Sequence, residues 1–175
     1  MEIRFAFNDD LTPAIQRALA AARDFTPAME NIAALMEGEV LRRFEAGESP
    51  DGTPWKPSKR AIKDGGKTLI DTRRLLSSMT RDHDATSAVV GTNVAYARPL
   101  QEGVDGIFAV KGHSRTVSSL FGKVLGQPTK FHFGAHGRDV TMPARPFLGF
   151  GETELREIPE IIADHLRTAF AGGQP

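Results

Sequence analysis

The stretch Met142-Pro143-Ala144-Arg145-Pro146-Phe147-Leu148-Gly149-Phe150 decides how the rest of the 175-residue chain is read. Each proline fixes φ and lacks an N–H donor. The residue before each is pushed towards extended geometry. Arg145, held between them, presents a planar fork that is always charged. Phe147, Leu148 and Phe150 add apolar bulk, and Gly149 and Gly151 let the chain turn. Such a stretch ends a strand and enters a helix. For Arg145 an internal salt bridge is favoured over contact with a neighbouring subunit.

Downstream, Glu152-Thr153 is read as the cap of a final helix with an apolar stripe of Leu155, Ile158, Ile161, Ile162, Leu166 and Phe170. Pro159 is placed near its first turn, where a missing N–H does least harm. Residues 171–175 read as a frayed tail. Upstream, residues 104–141 alternate β-formers with glycine and polar residues. They read as strands or long hairpin arms, a segment that projects and orders on assembly. As a strand, the segment places Phe131 and Phe133 on one face, with Lys130 and His132 on the other.

The clearest helix begins at Thr26-Pro27 and is ended by Gly47. Met29, Ile32, Met36, Val40 and Phe44 recur at three and four residues and read as packed core. Arg42, Arg43 and five other polar residues mostly take the other side. Before it, Ile3, Phe5 and Phe7 alternate as a short strand. Thr12-Pro13 opens an Ala-rich helix with Ile15 and Leu19 on one face. After it, Pro50-Asp51-Gly52 is a tight turn. Trp55, the only tryptophan, stands between two prolines, either as a lid on one end of the core or as an interface anchor. Residues 59–64 form a short helix stopped by Gly65-Gly66. Asp71-Thr72 is read as a cap for another, with Leu75, Leu76 and Met79 inward. Residues 79–84 and 87–92 make a β-hairpin around Asp84-Ala85-Thr86. Residues 94–102 form a short turning segment stopped by Gly103.

Composition bounds the function. There are 22 basic and 22 acidic residues, so the formal net charge is zero. Net neutrality disfavours direct nucleic-acid binding, which draws on a basic excess, and leaves self-association unopposed. The absence of cysteine removes disulfides, thiolate catalysis and cysteine zinc sites. No signal-peptide pattern opens the chain, and no apolar run approaches the ~20 residues that span a bilayer. The chain reads as one domain, residues 1–175, cytosolic where it is made.

A search for chemistry finds no specific site, and no catalytic, cofactor or metal residue is assigned. Ser77-Ser78 and Ser118-Ser119 have no partner base, and there is no Gly-x-Ser-x-Gly elbow. Gly66-Lys67-Thr68 lacks the first glycine of a phosphate loop. His165 suits the dipole at the end of the last helix. The alternative to a structural protein is a small metal-dependent hydrolase or nuclease using His132, His136 and Asp139.

One ordered set of motifs stands out. Phe44-Glu45 and Gly47 are followed by Ser49-Pro50-Asp51-Gly52 and Trp55, then Leu69-Ile70-Asp71-Thr72 and Leu75-Leu76-Ser77-Ser78-Met79. Val90-Gly91-Thr92-Asn93, Tyr96-Ala97 and Gln101-Glu102-Gly103 come next, and Pro143-Ala144-Arg145-Pro146-Phe147-Leu148-Gly149 closes the series. This order resembles the phage virion morphogenesis family, the Mu-like tail-completion and head–tail joining proteins of tailed bacteriophages. Arg73 departs from it, standing where the family usually has glycine, and Leu100 where it tends to have histidine. The resemblance implies an α+β domain, with an antiparallel sheet packed by the long N-terminal and the C-terminal helix. It implies a non-enzymatic, homo-oligomeric ring subunit at the neck or tail terminus, working in the host bacterial cytoplasm and then the virion. Neck, connector or tail proteins are its implied partners. Trp55, Phe131, Phe133, Arg145, Pro146 and Phe147 are the candidate interface or structural residues.

Overall fold

A computed structural model of the chain describes residues 10–120 and 123–172. The expected strand at Ile3–Phe7 and the last residues of the tail lie outside them. The fold is α+β, with antiparallel strands and with helices near both ends. Helices α1 (Leu11–Ala21) and α2 (Thr26–Ala46) come first, then the short α3 (Lys59–Asp64) and a 3-10 turn at Leu76–Ser78. Strands β1 (Met79–His83) and β2 (Ala88–Thr92) form a hairpin, followed by α4 (Ala97–Glu102). Strands β3 (Val104–Val110), β4 (His113–Leu120), β5 (Lys123–Phe133) and β6 (His136–Met142) make up the 104–141 region, and α5 (Glu152–Ala171) ends the described chain.

The strands pair two by two rather than in one continuous sheet. Among the described residues β1 pairs with β2, β3 with β6 and β4 with β5, all antiparallel. The β1–β2 hairpin packs on α2, and α1 and α2 both pack on α5. β3–β6 and β4–β5 follow one another along the same excursion, so residues 104–120 and 123–142 leave the body and return as one long two-stranded arm. Its outgoing strands add up to roughly 50 Å at about 3.3 Å per residue.

Local signals explain the helix ends. Gly47 stops α2 at φ 76°, its N–H bonded to Arg43 O at 2.7 Å. Ser58 caps α3, accepting from Ala61 N at 3.1 Å. Asp71-Thr72 caps no α-helix: only the 3-10 turn follows, and Leu69 and Arg73 both have positive φ. Pro159 is the eighth residue of α5, not a first-turn residue. It stands on the exposed face, where Leu155 is 66% exposed, so the helix continues past the missing bond in contact with water.

The core gathers Val40, Phe44, Trp55, Leu75, Met79, Ala97 and Phe147, with Leu69, Ile70, Val90, Leu100 and Leu148 around it. The residues of the motif series, scattered along the chain, meet here. Helix α1 packs through Ala14 and Ala21, while Leu11, Ile15 and Leu19 face outward. Arg17 ties α1 to the end of α5 by donating to Ala169 O at 3.2 Å. His165 is buried against Phe25 rather than standing at the surface of the helix end. Its Nε2 lies 3.1 Å from both Ala21 O and Asp24 O. Both partners are acceptors, so Nε2 carries the proton and closes the end of α1. No described helix is long and apolar enough to cross a membrane.

Candidate functional site: a clamped turn at the base of a projecting arm

The turn 145–151 is held from four directions, carbonyl by carbonyl. Trp55 Nε1 donates to Pro146 O at 2.9 Å. Arg43 Nη1 donates to Phe147 O at 3.3 Å and Gly149 O at 2.8 Å. Gln101 Nε2 donates to Leu148 O at 2.8 Å, and its Oε1 accepts from Phe147 N at 2.9 Å and Leu148 N at 3.0 Å. Arg145 N donates to Leu100 O at 2.8 Å. A buried turn must find partners for its backbone groups, and these side chains supply them.

Beneath the turn, Arg43 Nη2 forms a buried ion pair with Glu154 Oε1. The other oxygen of Glu154 accepts from Gly151 N at 3.0 Å, so one carboxylate both neutralises Arg43 and caps α5. Arg43 Nε is the one buried side-chain donor left without a partner among the described residues. The expectation that placed Arg43 on the polar face of α2 is therefore corrected. The inward cation is accommodated because its guanidinium meets the Glu154 carboxylate and two turn carbonyls.

The expected salt bridge is not found: among the described residues Arg145 has no carboxylate partner. It is 6% exposed and its Nε donates to Lys56 O at 2.9 Å, fixing the Trp-Pro loop to the turn. Burial pushes its pKa below the ordinary arginine value. Trp55 is 6% exposed and packs edge-on against Phe44 at 5.7 Å, and Phe147 is fully buried against Phe44 at 5.2 Å. Pro146 is half-buried between them. These four candidates belong to one internal clamp. Gly151 presses on Pro50 so closely that a Cβ would sit 2.5 Å from Pro50 O. A Cβ on Gly103 (φ 78°) would meet Ala144 N at 2.8 Å, where the arm leaves the body.

Phe131 and Phe133 lie on the arm, both half-buried. Phe131 stands opposite Arg115 and Phe133 opposite His113, whose ring stacks on it at 5.4 Å. Arg115 lies over the Phe133 ring at 5.8 Å. Lys130 and His132 face the other way, opposite Thr116 and Ser114.

His132, His136 and Asp139 do not converge. His132 Nδ1 pairs with Ser114 Oγ at 3.0 Å, while His136 Nδ1 donates locally to Gly134 O at 3.0 Å. His136 and Asp139 point to opposite faces of β6, three residues apart. Among the described residues no three His, Asp or Glu side chains are grouped to hold a metal ion.

The model of the phage virion morphogenesis family matches residues 8–167. The chain belongs to that family. It is also 31% identical over 167 residues to "Mu-like prophage FluMu G protein 2" of Haemophilus influenzae, covering 95% of this chain and 96% of that one. No solved structure matches. Membership gives the chain a structural part in building a phage particle. Within the family frame, Arg43, Gln101 and Glu154 are the site residues that reading the sequence missed. Gln101 stood inside a quoted motif. Arg43 adjoins the quoted Phe44-Glu45, and Glu154 stands three residues after Gly151 at the start of the last helix, but neither position by itself signals burial.

Proposed function

We propose that this protein is an oligomeric ring subunit acting at the tail terminus or the head–tail neck during assembly of a phage or prophage particle, and that it stays in the virion. The family match across residues 8–167 carries this reading. The architecture supports it: a body braced by the clamp carries a long arm whose ribbons, among the described elements, make their substantial contacts within themselves. An isolated two-stranded ribbon is marginal in water, so the arm is suited to contacts that form on assembly. Phe131, Phe133 and the neighbouring cations are its contact residues. Trp55, Arg145, Pro146 and Phe147 act one step behind, holding the base from which it projects. Neck, connector or tail proteins are the partners, and the host cytoplasm is the place of assembly.

Deleting the gene from an inducible prophage that carries it tests the proposal. Electron microscopy of the lysate is expected to show filled heads and tails that fail to join, or tails with unfinished ends. Normal, infectious particles in the deletion lysate would overturn it.

A further inference from the structure

Zero net charge conceals a separation. From Gly106 to Arg138 there are five basic residues, Lys111, Arg115, Lys123, Lys130 and Arg138, and no acidic one. The remaining chain holds 17 of the 22 basic residues and all 22 acidic ones. Counting Asp105 and Asp139 near its root, the whole arm (residues 104–142) carries five basic and two acidic residues and the rest of the chain 17 and 20, so a cationic ribbon stands on a mildly anionic body. Its cations alternate with apolar groups: Arg138 stands opposite Phe108, Arg115 opposite Phe131. Ile107 is 79% exposed and Phe108 50%.

The body offers a complement. Between the start of α2 and the later turns of α5 runs a groove of about 490 Å³, lined in part by Pro27, Ala28, Ile161, Glu157, Glu160 and Asp164. Its lining combines these apolar and acidic side chains with Asn31, Thr168 and the buried His165. Arg167 meets Glu160 at 3.1 Å and Asp164 at 3.6 Å, but all three are well exposed, and such pairs are weak and easily exchanged. The groove lies at the N-terminal end of α2. The arm is rooted near the other end, beside the Arg43 clamp, roughly 20 Å away along the helix.

We infer that the arm of one copy seats in the α2–α5 groove of the next copy, its lysines and arginines meeting Glu157, Glu160 and Asp164 and its aromatic rings meeting Ile161 and Pro27. This rests on the ring-subunit reading above. The contact joins two different surfaces, so it is heterologous, and it closes into a ring when the rotation per subunit allows. A cationic ribbon with interleaved aromatics also suits nucleic acid. The acidic surplus of the body repels a polyanion, however, and welcomes the arm of another copy.

Two double variants of the full-length protein test the inference, Glu160→Lys/Asp164→Lys in the groove and Lys111→Glu/Lys130→Glu on the arm. All four positions are exposed, and thermal melting checks that each variant stays folded. In sedimentation velocity the unaltered protein is expected to associate. Each double variant is expected to weaken association at least about tenfold, and an equimolar mixture of the two to regain it, because every arm then finds a groove of opposite charge. Since the chain has no cysteine, a Ser114→Cys protein mixed with an Asn31→Cys protein is expected to form a disulfide between copies. If the unaltered protein associates and the double variants do so undiminished, the arm–groove contact is overturned while the ring reading stands. If the unaltered protein stays monomeric at every concentration, the ring reading falls and this contact with it. If the arm variant loses binding to a short DNA duplex while self-association is unchanged, the arm is a nucleic-acid contact and the inference is overturned.

Discussion

Arg43 and Glu154, 111 residues apart in sequence, meet as a buried ion pair under the Phe147–Gly149 turn. The pair joins the end of α2 to the start of α5. It does more than cancel two charges. Arg43 also serves two turn carbonyls, and Glu154 also serves the first free N–H of α5. Removing one partner strands a buried charge, so Glu154→Gln is expected to cost about 3–5 kcal/mol in urea unfolding. Many buried pairs can be exchanged for apolar residues at little cost. Here the double variant Arg43→Met/Glu154→Leu is expected to remain destabilised, because the carbonyls of Phe147 and Gly149 lose their donor. A double variant as stable as the parent would show that those carbonyl bonds contribute nothing.

Gln101 makes three hydrogen bonds to two consecutive residues of the same turn. Gln101→Glu keeps the acceptor and loses the donor, whereas Gln101→Ala loses both. The expected order of stability is Gln, then Glu, then Ala, with Ala lower by about 2–4 kcal/mol. Denaturant midpoints at neutral pH read this order directly. Amide exchange at Phe147 and Leu148 is expected to speed up in Gln101→Ala.

Arg73 has φ 60° in the loop before the 3-10 turn. An L-residue there carries about 1–2 kcal/mol of strain that glycine escapes, while glycine costs about 0.5–1 kcal/mol in unfolded-chain freedom. Arg73→Gly is therefore expected to raise stability by roughly 0.5–1 kcal/mol, seen as a higher melting temperature. This gives physical content to the departure noted in the sequence: arginine occupies a position whose backbone suits glycine.

Pro159 sits two turns into α5 with its ring exposed. A proline in a helix interior costs about 3 kcal/mol relative to alanine. Pro159→Ala is expected to stabilise the isolated subunit by up to about that amount in thermal or urea unfolding. No gain would mean that α5 tolerates the missing hydrogen bond at Pro159 without cost.

Asp84 organises the β1–β2 turn, accepting from Thr86 N at 2.7 Å, Ser87 N at 2.8 Å and both neighbouring hydroxyls. These bonds hold its pKa down at about 2. The folded value lies below the unfolded one, so the stabilising contribution is present above the unfolded aspartate value near 3.9 and is lost as pH falls through about 2. The hairpin is expected to loosen across that window, with an NMR titration of the Asp84 carboxyl centred near 2. Asp84→Ala is expected to remove this part of the acid dependence.

Several elements were legible in the sequence because the signals that specify them are local. The spacing of Ile32, Val40 and Phe44, with glycine at 47, is enough to lay down α2, and Asp84-Ala85-Thr86 between β-formers is enough for a hairpin. The order of motifs, down to Pro143–Gly149, carried the family and the α+β class. Burial was less legible, because it depends on what lies opposite. A helical wheel puts Arg43 with the polar residues, and only the arrival of Glu154 and the turn carbonyls makes its position an inside one. In the same way α1 turns its alanines to α5 and leaves Leu11, Ile15 and Leu19 outside, since close approach of two helices favours small side chains.

By itself the sequence determined the two long helices α2 and α5, the β1–β2 hairpin and the kinship, because capping, turn chemistry and periodicity act within a few residues. The tertiary structure alone decided that the strands pair as separate ribbons and that Arg145 holds a loop carbonyl rather than a carboxylate. It decided too that the opening Pro143–Gly149 stretch is clamped by Trp55, Gln101 and Arg43. Each of those partners comes from a distant part of the chain, and a hydrogen bond or an ion pair is specified by where two groups finally meet.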